Sequence, residues 1–137
     1  MLIESDTFIA TIKENDRLRD DAAYIISAIH KGEITGAYAS SAALQEVIFW
    51  LLKENRAAEV VTAVSSLLDI RNLEWINVSK EICLNAAALI EEYQMGPFDA
   101  YHAATALSMD GRIISSDHIF DKIKNIERID QKSIRLK

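Results

Sequence analysis

Gly96-Pro97-Phe98-Asp99-Ala100-Tyr101-His102-Ala103-Ala104-Thr105-Ala106, running on through Asp110-Gly111 to Arg112-Ile113-Ile114-Ser115, is the stretch that decides the fold. Gly96-Pro97 breaks whatever precedes it. Pro97, with φ already fixed and no amide hydrogen to lose, suits the first position of a helix over Pro97 to Met109. Asp110-Gly111 reads as a turn, Arg112 to Ser115 as a strand, and Asp117 to Lys122 as one more helical turn. A helix is thus returned by a tight turn to a short strand, and the same alternation extends outward in both directions.

Upstream, Leu2-Ile3-Glu4-Ser5 reads as a first strand ending at Asp6, with a turn of helix through Thr7 to Ala10. Asp20 to His30 places Ala22, Ala23, Ile25, Ile26 and Ile29 at helical spacing, and Gly32 stops it. Ile34 to Ala39 is a short strand, and Ser40 or Ser41 caps the helix that follows. That helix carries Leu44, Val47, Ile48, Leu51 and Leu52 on one face, with Glu46 near its first turn. A helix over Arg56 to Leu68, a strand over Leu73 to Val78 and a helix capped by Ser79 and running through Tyr93 complete this part. Ile126 to Ile129 adds a last edge strand. Strands alternating with helices imply an α/β fold, a single three-layer domain over residues 1–137 with a central, mainly parallel sheet covered by helices on both faces.

The 137 residues fit one domain, and their 50% hydrophobic and 26% charged content is ordinary for a globular protein. With 4 glycines and 1 proline, long irregular linkers are not expected. Apolar runs are broken by charges well short of the about 20 residues a membrane span needs, and no secretion signal opens the chain. The single cysteine, Cys83, excludes an intramolecular disulfide, fits a reducing cytoplasm, and reads as a small core residue of an apolar helix. A net charge of −6 argues mildly against nucleic acid as a partner, unless several acids are gathered into one cation-binding site.

Four acids have the placement for such a site. Ligands of an open parallel sheet bind outside the carboxyl ends of its strands. Asp6 follows the first strand there and Asp117 follows the Ile113-Ile114 strand, while Asp99 and Glu46 stand early in helices that follow the same edge. Two unit charges about 4 Å apart repel by roughly 4 kcal/mol at an effective dielectric of about 20, so such a group needs protons or a divalent cation. An all-oxygen set suits Mg²⁺ or Mn²⁺ better than Zn²⁺. The same positions also suit helix caps and dipole partners, so placement alone leaves both readings open.

The wording of four segments goes further: Ile3-Glu4-Ser5-Asp6-Thr7-Phe8-Ile9-Ala10, Ser41-Ala42-Ala43-Leu44-Gln45-Glu46-Val47, Phe98 to Ala106, and Ile113-Ile114-Ser115-Ser116-Asp117-His118-Ile119-Phe120-Asp121-Lys122-Ile123. In that order they resemble the PIN domain, specifically the small VapC-like toxins, over nearly the whole chain. The resemblance implies that Asp6, Glu46, Asp99 and Asp117 hold one or two Mg²⁺ or Mn²⁺ ions and cleave RNA with metal-activated water. It implies that Thr7 and Ser115 support the acids through hydrogen bonds, that a small antitoxin covers the cleft, and that the protein is a homodimer. One departure stands out: a small polar residue commonly follows the Asp-Thr pair, and here Phe8 does.

Other residues carry weaker expectations. His102, three residues after Asp99, reads as a helix-face residue near the site rather than a ligand. His118 either faces the substrate or is merely exposed, and His30 at a helix end favours the dipole. Asp121 is either an outer ligand or a surface acid. Trp50 and Trp75 read as core, and Lys53 and Arg56 either track a phosphate backbone or lie on a solvated helix face. The leading expectation is a metal-dependent endoribonuclease. Behind it stand a non-catalytic PIN-like module that binds RNA or protein, and a phosphoryl-transfer domain with a strand-end aspartate nucleophile. The last lacks both a second acid two residues after the first and a Gly-rich phosphate loop.

Overall fold

The computed structural model describes residues 1–135, so the last two positions of the domain expected over 1–137 lie outside the described residues. In chain order the elements are β1 (Leu2–Ile3), α1 (Ser5–Ile12), α2 (Arg19–His30), β2 (Ala37–Ser40), α3 (Ser41–Lys53), α4 (Val60–Leu68) and β3 (Leu73–Ile76). They continue with α5 (Lys80–Tyr93), α6 (Pro97–Leu107), β4 (Arg112–Ile114), β5 (Glu127–Ile129) and α7 (Gln131–Arg135). Short 3-10 turns stand at Ala57–Glu59 and His118–Lys122.

The five strands form one sheet in the order β3-β2-β1-β4-β5, every neighbouring pair parallel. In register, Leu2 lies beside Tyr38 and Ile113, and Ile3 beside Ile114. Because successive residues of a strand face opposite sides, this register splits the apolar residues into two cores. Leu2, Tyr38 and Ile113 pack with Ile82, Ala86 and Leu89 of α5 and the alanines of α6. Ile3, Ala39, Ile114 and Ile129 face the other way, onto Phe8, Ile25, Ile29, Val47, Leu51 and Leu67 of α1 to α4. The expected α/β domain of three layers is what the chain forms. Among the described residues no helix is long and apolar enough to cross a membrane.

Local chemistry explains the boundaries. Ser40 caps α3, its hydroxyl accepting from the Ala42 amide at 3.1 Å, and Ser79 caps α5 through the Ile82 amide at 3.1 Å. Ser41, the other candidate cap, instead accepts from the Val78 amide at 3.1 Å and ties β3's exit to α3. Pro97 opens α6 as its geometry demands. Two readings need correction. The first strand stops at Ile3, so Glu4 rather than Asp6 directly follows it, and Asp6 already stands in the first turn of α1. Cys83 is exposed, because α5 buries Ile82, Ala86 and Leu89, a stripe from which residue 83 is turned about 100° away.

Candidate functional site

β1 leads to β2 and β3 on one side of the sheet, whereas β4 and β5 lie on the other side of β1. The direction of winding therefore reverses between β1 and β4, and at such a reversal the loops diverge and leave a crevice at the carboxyl edge. A cleft of about 670 Å³ occupies that place, walled by Glu4, Asp6, Glu46, Asp99 and Asp117. Each acid expected from the sequence thus faces one cavity, and Glu4 joins them.

Asp6 is held from several directions. The amide and hydroxyl of Ser116 both donate to Oδ2 at 2.8 Å, and Gln131 Nε2 donates to Oδ1 at 3.0 Å. The Thr7 hydroxyl lies 3.5 Å from Oδ1 and also accepts from Gln131 at 3.2 Å. Asp117 caps the 3-10 turn through Oδ1, which accepts from the Ile119 amide at 2.9 Å, so it serves local structure while it lines the cleft. Ser115 is fully buried: its hydroxyl donates to Glu4 Oε2 at 3.1 Å and accepts from the Asp117 amide at 3.0 Å, linking the acids that follow β1 and β4.

Glu4 was absent from the acids selected by sequence. Its amide still pairs with the Ile114 carbonyl at 3.2 Å, so the side chain leaves the very end of β1. It is 4% exposed, and burial together with the nearby Asp6 holds its carboxyl well above the usual range. One signal could have found it. The order acid, hydroxyl, small polar residue, which Phe8 interrupts in Asp6-Thr7-Phe8, runs uninterrupted in Glu4-Ser5-Asp6. Phe8 itself is fully buried against Trp75, ring centroids 5.6 Å apart, and belongs to the core.

His102 lies on the face of α6 that meets these acids. It is wholly buried, and its Nε2 lies 2.9 Å from Glu46 Oε1 and 3.7 Å from Glu4 Oε1. The small side chains Ala100, Ala103 and Ala106 let α6 lie close to the sheet and carry the imidazole under the cleft floor. Asp99, one turn earlier, is half-buried; burial first, then Asp117 and Glu46, push its pKa up to about 6.

Among the described residues no lysine or arginine pairs with Glu4, Asp6, Glu46, Asp99 or Asp117. Neighbouring acids add to the upward shift of Glu4 and Asp99, and the oxygens of the five, with one imidazole nitrogen, are the donors a divalent cation takes. The residues present therefore fit such an ion. Ligand atoms of Glu4, Glu46 and His102 come within 4.8 Å of one another, the tightest grouping of the set.

The cations of the cleft are Lys13 and Arg17, both exposed, on the loop between α1 and α2. Lys53 and Arg56 do not line it. Arg56 is engaged by Glu59 at 2.6 Å and lies 5.4 Å from the Trp50 ring. Asp121 turns to Arg128 at 2.9 Å and His118 at 2.8 Å, away from the acids, and His118 is exposed. His30 Nδ1 accepts from the Arg71 amide at 3.1 Å, and Trp50 and Trp75 are half-buried at the edge of the core.

A PIN-domain family model matches residues 1–126. No curated protein matches the chain. Solved structures with the same fold include VapBC2 from Rickettsia felis bound to a promoter DNA fragment, with TM-score 0.71, 17% identity, and 94% of this chain and 96% of that one covered. DNA-bound VapBC from Salmonella typhimurium gives 0.71 at 19% identity, covering 95% and 96%. Mycobacterium tuberculosis VapC20, described as a Sarcin-Ricin loop cleaving toxin, gives 0.71 at 14% identity, covering 88% and 92%.

Proposed function

The chain belongs to the PIN-domain family, and from that premise we propose that it is a divalent-metal-dependent endoribonuclease, the toxin of a toxin–antitoxin pair. The observation that carries this reading is the convergence of Glu4, Asp6, Glu46, Asp99 and Asp117 on the crevice between β1 and β4. The ion is Mg²⁺ or Mn²⁺, the substrate RNA, and the catalytic unit one domain over residues 1–137. In the cytoplasm, where the reading places the protein, both ions are accessible.

Asp6, Glu46, Asp99 and Asp117, with Glu4, are the residues that would hold the metal. A bound divalent ion supplies a water acidic enough to attack at neutral pH and neutralises charge growing on the phosphoryl oxygens. The chain does the rest. Ser116 and Gln131 fix Asp6, Ser115 fixes Glu4, and a carboxylate of the cleft would accept the proton released by the attacking water and pass it to the leaving oxygen as the phosphodiester P–O bond breaks. Lys13 and Arg17 lie where a phosphate backbone entering the cleft would meet positive charge.

The antitoxin proposal is supported by neighbours that are toxin–antitoxin complexes. The homodimer proposal is supported by exposed apolar side chains on successive helices, Phe49 and Leu52 on α3, Val61 on α4 and Leu84 on α5. Sedimentation as a monomer at micromolar concentration would remove the dimer.

The test uses the purified chain with RNA, in Mg²⁺, Mn²⁺ or a chelator. Cleavage should require the metal and be abolished by Asp99→Asn with the fold intact. In parallel, Mn²⁺ at 100 times its dissociation constant should stabilise the wild type by about 2.7 kcal/mol. Undiminished cleavage in chelator, or a melting point indifferent to millimolar metal, refutes the proposal.

A further inference from the structure

We infer that His102 is itself a metal ligand: its Nε2, with the Glu4 and Glu46 carboxylates, forms a nitrogen–oxygen seat at the cleft floor that selects Mn²⁺ over Mg²⁺. The inference rests on the metal-dependent reading of the cleft and goes beyond it by naming a ligand and a preference.

Three observations carry it. The first is spacing. Donors about 2.1 Å from one ion and at right angles stand about 3.0 Å apart, and Nε2 lies 2.9 Å from Glu46 Oε1 and 3.7 Å from Glu4 Oε1. Ligand atoms of all three lie within 4.8 Å of one another.

The second is the burial and direction of the imidazole. His102 is 0% exposed, and its Nδ1 has no hydrogen-bond partner. Nε2, aimed at two carboxylates, is the working end of the side chain.

The third is the chemistry of the donors. Mg²⁺ requires near-ideal octahedral oxygen coordination and keeps several waters. Imidazole nitrogen ranks first-row transition ions above it. Glu4 is 4% exposed and His102 fully covered, so these two donors stand at the closed end of the cleft, while Glu46 faces its open side.

The competing role for His102 is that of a positioning residue, an imidazolium bridging Glu4 and Glu46. Pulsed electron paramagnetic resonance on the Mn²⁺-loaded full chain separates the two. Directly bound imidazole should give ¹⁴N modulation that changes to the ¹⁵N pattern when the histidines are ¹⁵N-labelled. The coupling should persist in His118→Gln and vanish in His102→Gln. By calorimetry, the Mn²⁺-to-Mg²⁺ affinity ratio should fall about 10-fold or more in His102→Gln, since loss of even an outer partner costs a metal site that much. Mn²⁺ bound without nitrogen coupling overturns the inference and leaves the ribonuclease proposal standing. A wild type that binds no Mn²⁺ overturns both. If His102→Gln does not fold, the labelled wild type and His118→Gln still decide the matter.

Discussion

Gln131, the first residue of α7, donates through Nε2 to Asp6 Oδ1 at 3.0 Å across 125 positions of sequence. The amide is fully buried, and the same nitrogen reaches Thr7 Oγ1 at 3.2 Å. The last described helix is therefore fastened to the first acid of the cleft, and the orientation of Asp6 depends on a residue that no reading of the N-terminal segment can supply. Gln131→Ala leaves a half-buried carboxylate short of a donor, a loss of about 1–3 kcal/mol in stability. Mn²⁺ affinity should fall by about 10–100-fold, as for other partners that orient metal-binding groups. Chemical unfolding and metal titration check the two effects separately. Lower stability with unchanged metal affinity would make Gln131 a packing residue only.

Lys13 and Arg17 make a prediction about substrate. Both are exposed on the rim of the cleft, and neither forms an ion pair among the described residues. On an Asp99→Asn background, in which cleavage is expected to stop, RNA binding can be followed against salt. Each of Lys13→Ala and Arg17→Ala should lower the slope of log affinity against log salt by about 0.7, the value for one phosphate contact on a single strand. Melting should change by less than about 0.5 kcal/mol, as for surface sites. A salt slope that is unchanged in both variants would place the RNA path elsewhere.

Much of this site is legible in the sequence because it is carried by local signals. Pro97, Asp110-Gly111 and the Ile113-Ile114 pair set α6, its turn and β4 in turn, and so deliver Asp99 and Asp117 to one sheet edge. Glu4 escaped because a strand of two residues shows no period, so the end of β1 could be drawn two positions late. The burial of His102 was not legible for another reason: the alanine-rich helix has no pronounced polar face, and which side lies on the sheet is decided by tertiary packing. Lys13 and Arg17 belong to a loop whose position over the cleft follows from how α1 packs on α2, which spacing along the chain does not encode. The exposed Cys83 shows the converse, an apolar run whose buried stripe passes one residue to the side.

Gly111 tests the turn that launches β4. Its φ is +72°, and a Cβ there would stand 2.7 Å from the Asn125 carbonyl oxygen, a backbone atom that cannot swing aside. Gly111 is also pinned on both sides, its amide donating to the Ala106 carbonyl at 2.8 Å and its carbonyl accepting from the Glu127 amide at 2.8 Å. Gly111→Ala should cost about 1–3 kcal/mol for the left-handed conformation alone, with the clash in addition. The urea midpoint should fall with little change in slope. A midpoint within error of wild type would mean that the turn relaxes freely.

Asp99 supplies a pH signature. Its pKa rises from 3.8 to about 6, chiefly through burial and then through Asp117 and Glu46. Below about pH 4 the carboxyl is protonated in folded and unfolded chains alike, and its contribution is fully present. Between those values the unfolded chain ionises first, so the native state binds more protons and stability falls as pH rises, levelling off above about 6. The metal-free protein should thus melt progressively lower from pH 4 to pH 6.5. Glu4, raised in the same direction, adds to the trend, so the Asp99 part is isolated by subtracting the profile of Asp99→Asn. That variant should lose part of the slope in this window and gain stability relative to wild type near neutrality. Mn²⁺ reverses the preference, because it competes with the proton for the same oxygens: wild-type affinity should climb with pH through this window. Parallel melting profiles for wild type and Asp99→Asn would show that Asp99 ionises as an ordinary surface acid and that the carboxylates of the cleft do not act on one another.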